Sequence, residues 1–296
     1  MSKWTSADLP SQTGRTIIVT GANSGIGLVA ARELARSGAH VILAVRNTDK
    51  GRAAAAQVGH DAEVRELDLA SLASVRSFAA GIQGPVDVLV NNAGVMAVPQ
   101  SRTADGFEMQ FGTNHLGHFA LTGLLVDRIT DRVVTVSSGA HRIGKIHLDD
   151  LNWDDGYRRW PAYGQSKLAN LLFTFELQRR LAASASGVTA MAAHPGYAST
   201  NLQFHTASFQ DKLMAVGNRL LAQSAEMGAL PTLFAATQDV PGGSFVGPDG
   251  FGEQRGHPHL VGCSPAARDE AMAAKLWERS EELTGVRFPL AAAAAG

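Results

Sequence analysis

The stretch TIIVTGANSGIGLVAARELARSG, residues 16 to 38, decides the fold. Its first five residues are β-branched or apolar and read as a buried strand. From Gly25 onward the apolar residues recur at helical spacing until Gly38. Between strand and helix lies TGANSGIG, Thr20 to Gly27. Gly21, Gly25 and Gly27 let the backbone turn tightly and let a pyrophosphate approach the partly positive helix N-terminus. Asn23, Ser24 and Ile26 share that turn and its contacts. A glycine-rich turn can also exist without a ligand, but three glycines between a strand and a helix favour nucleotide binding.

Outward from this unit the same alternation repeats. HVILAV (40–45), AEVREL (62–67), VDVLV (86–90), RVVTVS (132–137) and VTAMAAH (188–194) read as further strands. SLASVRSFAAGI (71–82) and KLANLLFTFELQRRLA (167–182) read as helices between them. Strands alternating with helices predict a doubly wound, Rossmann-type parallel sheet with helices on both faces. A last strand within GGSFVGPDGFGEQRG brings the expected total to about seven. No polar linker interrupts the series, so residues 1–296 read as one domain. Residues 226–239 read as a late helix. The segment 197–225 reads as amphipathic helices and loops forming a substrate lid, and 290–296 as a frayed tail.

Composition narrows the class of partner. There are 26 Lys+Arg against 27 Asp+Glu, a formal charge of −1, so nothing calls for a nucleic acid. Cys263 is the only cysteine and cannot form an intramolecular disulfide, which fits a reducing, cytoplasmic setting. The N-terminus MSKWTSADLPSQTGR lacks the apolar core of a secretion signal, and no run of about 18 apolar residues predicts a membrane span. His115 and His118 are too few for a metal site and read, like His257 and His259, as packed or surface pairs.

Further motifs fall at the predicted strand ends. NNAG (Asn91–Gly94) closes the fourth strand, SS (Ser137, Ser138) the fifth, and HPGYAST the sixth. In YGQSK, Tyr163 and Lys167 are one helical turn apart and share a face. Such a pair arises somewhere by chance about 6% of the time, so it gains meaning only with the other motifs.

The GxxxGxG spacing of Gly21, Gly25 and Gly27, with NNAG and YGQSK, resembles the short-chain dehydrogenase/reductase family from about residue 14 to 201. The resemblance implies a nicotinamide dinucleotide and an alcohol–carbonyl interconversion. It assigns catalysis to Asn114, Ser138, Tyr163 and Lys167. Tyr163 would move the proton, Lys167 tune it and hold the nicotinamide ribose, Ser138 polarise the substrate oxygen, and Asn114 order a relay water. It further implies cofactor contacts from Asn91, Ala93 and Gly94, from Asp68 and Leu69 at the adenine, and from Pro195, Gly196 and Thr200 along the nicotinamide. Ser138 and Tyr163 are 25 positions apart, longer than usual in the family. The inserted HRIGKIHLDDLNWDDGYRRWP resembles the retinol-dehydrogenase-like and protochlorophyllide-reductase-like branch. Anchored members of that branch carry an apolar N-terminal helix that this chain lacks, which counts against a membrane-bound retinoid role.

Two physical expectations follow. The second strand ends in Ala44 and Val45 with Arg46 beyond, and no acid stands there to select NAD(H). A guanidinium suits a 2′-phosphate, which favours NADP(H), although Arg46 also reads as a solvated loop cation. A phenol of pKa ~10 with a cation ~4 Å away feels ~4 kcal/mol at an effective dielectric of ~20, a downward pull of roughly three pKa units. Lys167 is placed to supply that charge. The substrate is read as a small molecule, and Leu202, Phe204, Phe209, Leu213, Met214, Leu220 and Leu221 offer it an apolar lining if they face inward. Homo-oligomers are common in the family. A non-catalytic dinucleotide sensor and an epimerase or dehydratase are the competing readings. The full Asn-Ser-Tyr-Lys set counts against the first, and the glycine spacing against the second.

Overall fold

The computed structural model describes residues 3–59, 61–197 and 223–290. Eight strands form one sheet in the order β3-β2-β1-β4-β5-β6-β7-β8. The strands are β1 (Thr16–Thr20), β2 (His40–Val45), β3 (Ala62–Glu66), β4 (Val86–Asn91), β5 (Ile129–Val136), β6 (Thr189–Ala193), β7 (Phe245–Pro248) and β8 (Pro258–Leu260). All neighbours pair in parallel except β8, which lies antiparallel to β7. The expected count of about seven thus gains one short edge strand. Three residues are too few to display the two-residue alternation that marks a strand in sequence.

Helices cover both faces because the strand residues are apolar on both. Ile17 and Val19 of β1 pack with α1 (Gly25–Arg36) and α7 (Ala225–Thr237). Ile18, between them, packs on the opposite side with α3 (Leu72–Gly81) and α5 (Gly117–Leu125). Among the described residues the remaining α-helices are α2 (Thr48–Val58), α4 (Met109–Phe111), α6 (Arg159–Ala183) and α8 (Glu270–Thr284). A π-turn, Gly112–Leu116, joins α4 to α5. Helix α6 starts eight residues before the predicted 167, because Pro161 is tolerated in a first turn, where its missing N–H is not needed. Tyr163 and Lys167 therefore sit inside the helix on a buried, fixed backbone.

The strand order reverses between β1 and β4, and such a reversal opens a crevice at the carboxyl ends of the strands. The glycine turn, NNAG, the Ser137–Ser138 pair and the Pro195–Gly196 turn all leave the sheet along this edge.

Candidate active site

The glycine turn and NNAG form one interlocked surface. Gly21 has φ +67°, and a Cβ there would lie 2.9 Å from the Cβ of Ala93. A Cβ on Gly27 would come within 2.5 Å of Asn92 Nδ2. Thr20 Oγ1 accepts from the backbone N–H groups of both Asn92 and Ala93 at 2.9 Å. Asn92 Nδ2 donates to the Thr20 carbonyl at 2.8 Å. The α1 N-terminus faces the turn, and Ser24 at its cap position makes no side-chain bond to it, so the first N–H groups keep their donors. A cradle that a single Cβ would fill, backed by an uncapped 12-residue helix, fits a pyrophosphate. Asn91 differs from its neighbours. Its side chain is fully buried and donates to Thr122 Oγ1 at 3.0 Å, away from the crevice. Its Oδ1 is buried with no hydrogen-bond partner among the described residues.

Gly21 N donates to the Ala44 carbonyl at 2.8 Å, which brings the end of β2 against the glycine turn. Arg46, two residues on, is exposed and has no hydrogen bond or ion pair to any described residue. Leu67 N bonds the Val45 carbonyl at 2.9 Å, so Asp68 and the buried Leu69 emerge beside it. Asp68 Oδ1 accepts from Ala70 N at 3.0 Å as a turn cap.

In the other group Asn114 and Lys167 approach Gly94, Lys167 stands beside Tyr163, and Tyr163 is bonded to Ser138. A Cβ placed there would lie 3.0 Å from Asn114 Oδ1 and 3.6 Å from Lys167 Nζ. Asn114 sits in the π-turn, accepting from Val95 N at 2.8 Å and donating to the Val95 carbonyl and to Ser166 Oγ, both at 2.9 Å. Lys167 Nζ donates to the Val136 carbonyl at 3.0 Å and lies 5.8 Å from the Tyr163 ring centroid. Ser138 leaves β5 into a 3-10 turn, Gly139–Ile143, and hydrogen-bonds Tyr163.

The electrostatic balance is the reverse of the sequence expectation. Burial pushes the Tyr163 phenol up to about 12, with the Ser138 bond opposing it. Burial pushes Lys167 down to about 8. Desolvation of the two groups outweighs any pull of the amine on the phenol. At neutral pH the phenol holds its proton and the amine remains charged.

Gly196 has φ +66° and donates its N–H to His194 Nδ1 at 3.2 Å. Gln223 Nε2 donates to the Pro195 carbonyl at 2.5 Å, so the chain returns to this turn. Thr200, most of the predicted lid 197–225, with its apolar residues 202–221, and tail residues 291–296 lie outside the described residues. Sequence reasoning missed Thr20, Asn92 and His118. Thr20 and Asn92 stand within motifs already singled out, but nothing in the sequence pairs them.

The sequence profile of the short chain dehydrogenase family matches residues 15–211. The chain is 46% identical to human retinol dehydrogenase 13, covering 93% of this chain and 86% of that protein. It is 42% identical to human retinol dehydrogenase 12, covering 96% and 90%. A crystal structure of an uncharacterised protein from Mycobacterium paratuberculosis is 57% identical, with a TM-score of 0.86 over 98% of this chain and all of that one. A structure described as an NAD(P)-dependent gluconate 5-dehydrogenase from Beutenbergia cavernae, with bound NADP at low occupancy, is 28% identical, with a TM-score of 0.58 over 77% and 91%. The chain belongs to the short-chain dehydrogenase/reductase family of oxidoreductases. Within it, the similarity lies with the retinol-dehydrogenase-like branch. No helix among the described residues is long and apolar enough to cross a membrane.

Proposed function

We propose that this protein interconverts an alcohol and a carbonyl using NADP(H), with Tyr163 as the general acid and base. The chain of neighbours from Asn114 and Lys167 beside Gly94 to Tyr163 and its bond to Ser138 carries this reading. When bound, the nicotinamide supplies or takes the hydride. Gly21, Asn23, Ser24, Gly25, Ile26 and Gly27 would hold the pyrophosphate, and Pro195 and Gly196 the nicotinamide side. Arg46, unpaired among the described residues, supports a 2′-phosphate and so NADP(H) over NAD(H).

The chain's own residues manage the proton. Tyr163, kept protonated by burial, donates to a carbonyl oxygen as negative charge develops there. Ser138 hydrogen-bonds that oxygen in its growing charge. Lys167, charged at neutral pH, stabilises the phenolate left behind, and Asn114 is assigned the relay that restores the proton. Trp160 stands edge-on to Tyr163 with ring centroids 6.2 Å apart and is 41% exposed, which supports an apolar substrate. The names of the retinol dehydrogenase relatives agree with that class. A cytoplasmic location and a homo-oligomer belong to the same proposal, testable by fractionation and sedimentation.

Tyr163→Phe tests the reading. It should keep NADPH affinity within about threefold and lose about 10³-fold or more in kcat. Substantial remaining turnover in a screen of aldehydes and ketones removes the proton-donor assignment.

A further inference from the structure

His118 is on α5, one turn beyond Asn114, and only 1% exposed. Its ring lies between Thr20, which holds the NNAG backbone, and the Asn114 peptide, whose own side chain bonds Val95 just beyond NNAG. On one side Nε2 is 2.9 Å from Thr20 Oγ1. On the other, Nδ1 is 3.0 Å from the Asn114 backbone carbonyl.

Hydrogen-bond counting sets the tautomer. Thr20 Oγ1 already accepts two backbone N–H groups, from Asn92 and Ala93, and a hydroxyl has only two acceptor positions. Its own proton must therefore point outward, and His118 Nε2 at 2.9 Å is nearer than the Val90 carbonyl at 3.4 Å. Nε2 is then the acceptor. The Asn114 carbonyl can only accept, so Nδ1 carries the proton. The chain of donors runs from Asn92 and Ala93 to Thr20, from Thr20 to His118, and from His118 to Asn114. A second proton on the ring would turn Nε2 into a third donor facing Thr20 Oγ1. Burial, reinforced by the charge of Lys167 and opposed by the Asn114 carbonyl, pushes the ring down to about 4.

We propose that His118 is a positioning residue: as the neutral Nδ1–H tautomer it locks the NNAG backbone, through Thr20, to the Asn114 peptide. Together with the direct Asn114–Val95 bonds, the ring fixes the spacing between the cofactor cradle and the Asn114 peptide, touching neither substrate nor cofactor itself. Its role at Asn114 rests on the proposed function; its role at Thr20 does not.

The two bonds can be cut separately. His118→Asn retains a donor where Nδ1 stands and loses the Nε2 acceptor. His118→Gln retains a group where Nε2 stands and loses the Nδ1 donor. His118→Asn should weaken NADPH binding about tenfold, measured by fluorescence titration, with kcat within about threefold. His118→Gln should show the opposite split, kcat falling about tenfold at nearly unchanged affinity. Equal losses in both constants for both variants, or no loss in either, overturn the proposal in favour of plain packing. Should either variant not fold, imidazole ¹⁵N NMR of the unaltered protein at pH 7 decides. A neutral Nδ1–H ring supports the assignment, and an Nε2–H ring or an imidazolium overturns it. Turnover surviving in Tyr163→Phe would sink the functional reading alone, leaving the binding and NMR results for His118 intact.

Discussion

The cradle around Gly21 and the centre around Tyr163 lie side by side at the carboxyl edge of the sheet, yet they are built from different materials. The first is backbone: glycines where a Cβ would meet Ala93 or Asn92, peptide N–H groups held by Thr20, and a bare helix N-terminus. The second is buried side chains whose ionisation the fold disfavours, a phenol raised to about 12 and an amine lowered to about 8. The cradle needs shape and little else. The proton-transfer centre holds a charge in a place that penalises charge, so there function and stability pull in opposite directions.

Lys167→Met gives the largest contrast. Turnover should fall by about 10³-fold or more, while the cofactor-free protein becomes more stable. The sign follows from the shift: the folded-state value of about 8 lies below the ordinary 10.5 of a lysine. The penalty for the buried charge is fully present below pH 8 and gone above 10.5. At pH 7 it is on the order of 3 kcal/mol, so the advantage of the Met variant in thermal melts should shrink as pH rises through that window. A Met variant no more stable than its parent would erase the contrast between the two regions. Gly21→Val attacks the cradle. A branched side chain at φ +67°, with a Cβ 2.9 Å from Ala93, should cost about 1–3 kcal/mol of stability and weaken NADPH by about 10²-fold. The intrinsic pH dependence of turnover at saturating cofactor should stay put. Arg46→Ala, the mildest change, should weaken NADPH about tenfold and NADH hardly at all. Equal affinity of the unaltered protein for both cofactors would remove Arg46 from the cradle.

The cradle was the more legible of the two, because its information is local. TGANSGIG carries strand, turn and helix within a dozen residues, and the alternation around it places the parallel sheet. What could not be read depends on packing between distant positions. Thr20 meets Asn92 across 72 positions and His118 across 98, and no spacing rule connects them. The pKa order at Tyr163 and Lys167 inverted because sequence shows the distance between two charges along a helix but not how completely the fold covers them. Asn91 turned inward for a similar reason: its partner, Thr122, is on a helix whose rotation the sequence does not state.

That rotation is set by the π-turn at Gly112–Leu116. A wide turn holds one residue more than an ordinary helical turn, so it acts as a phase shift of about 100° on everything that follows. His118 meets the crevice and Phe119 meets Trp277 and Phe288 in that shifted phase. Straightening this turn without removing a residue would rotate every following face by about 100° away from its partners, so the wide turn and its one extra residue belong together.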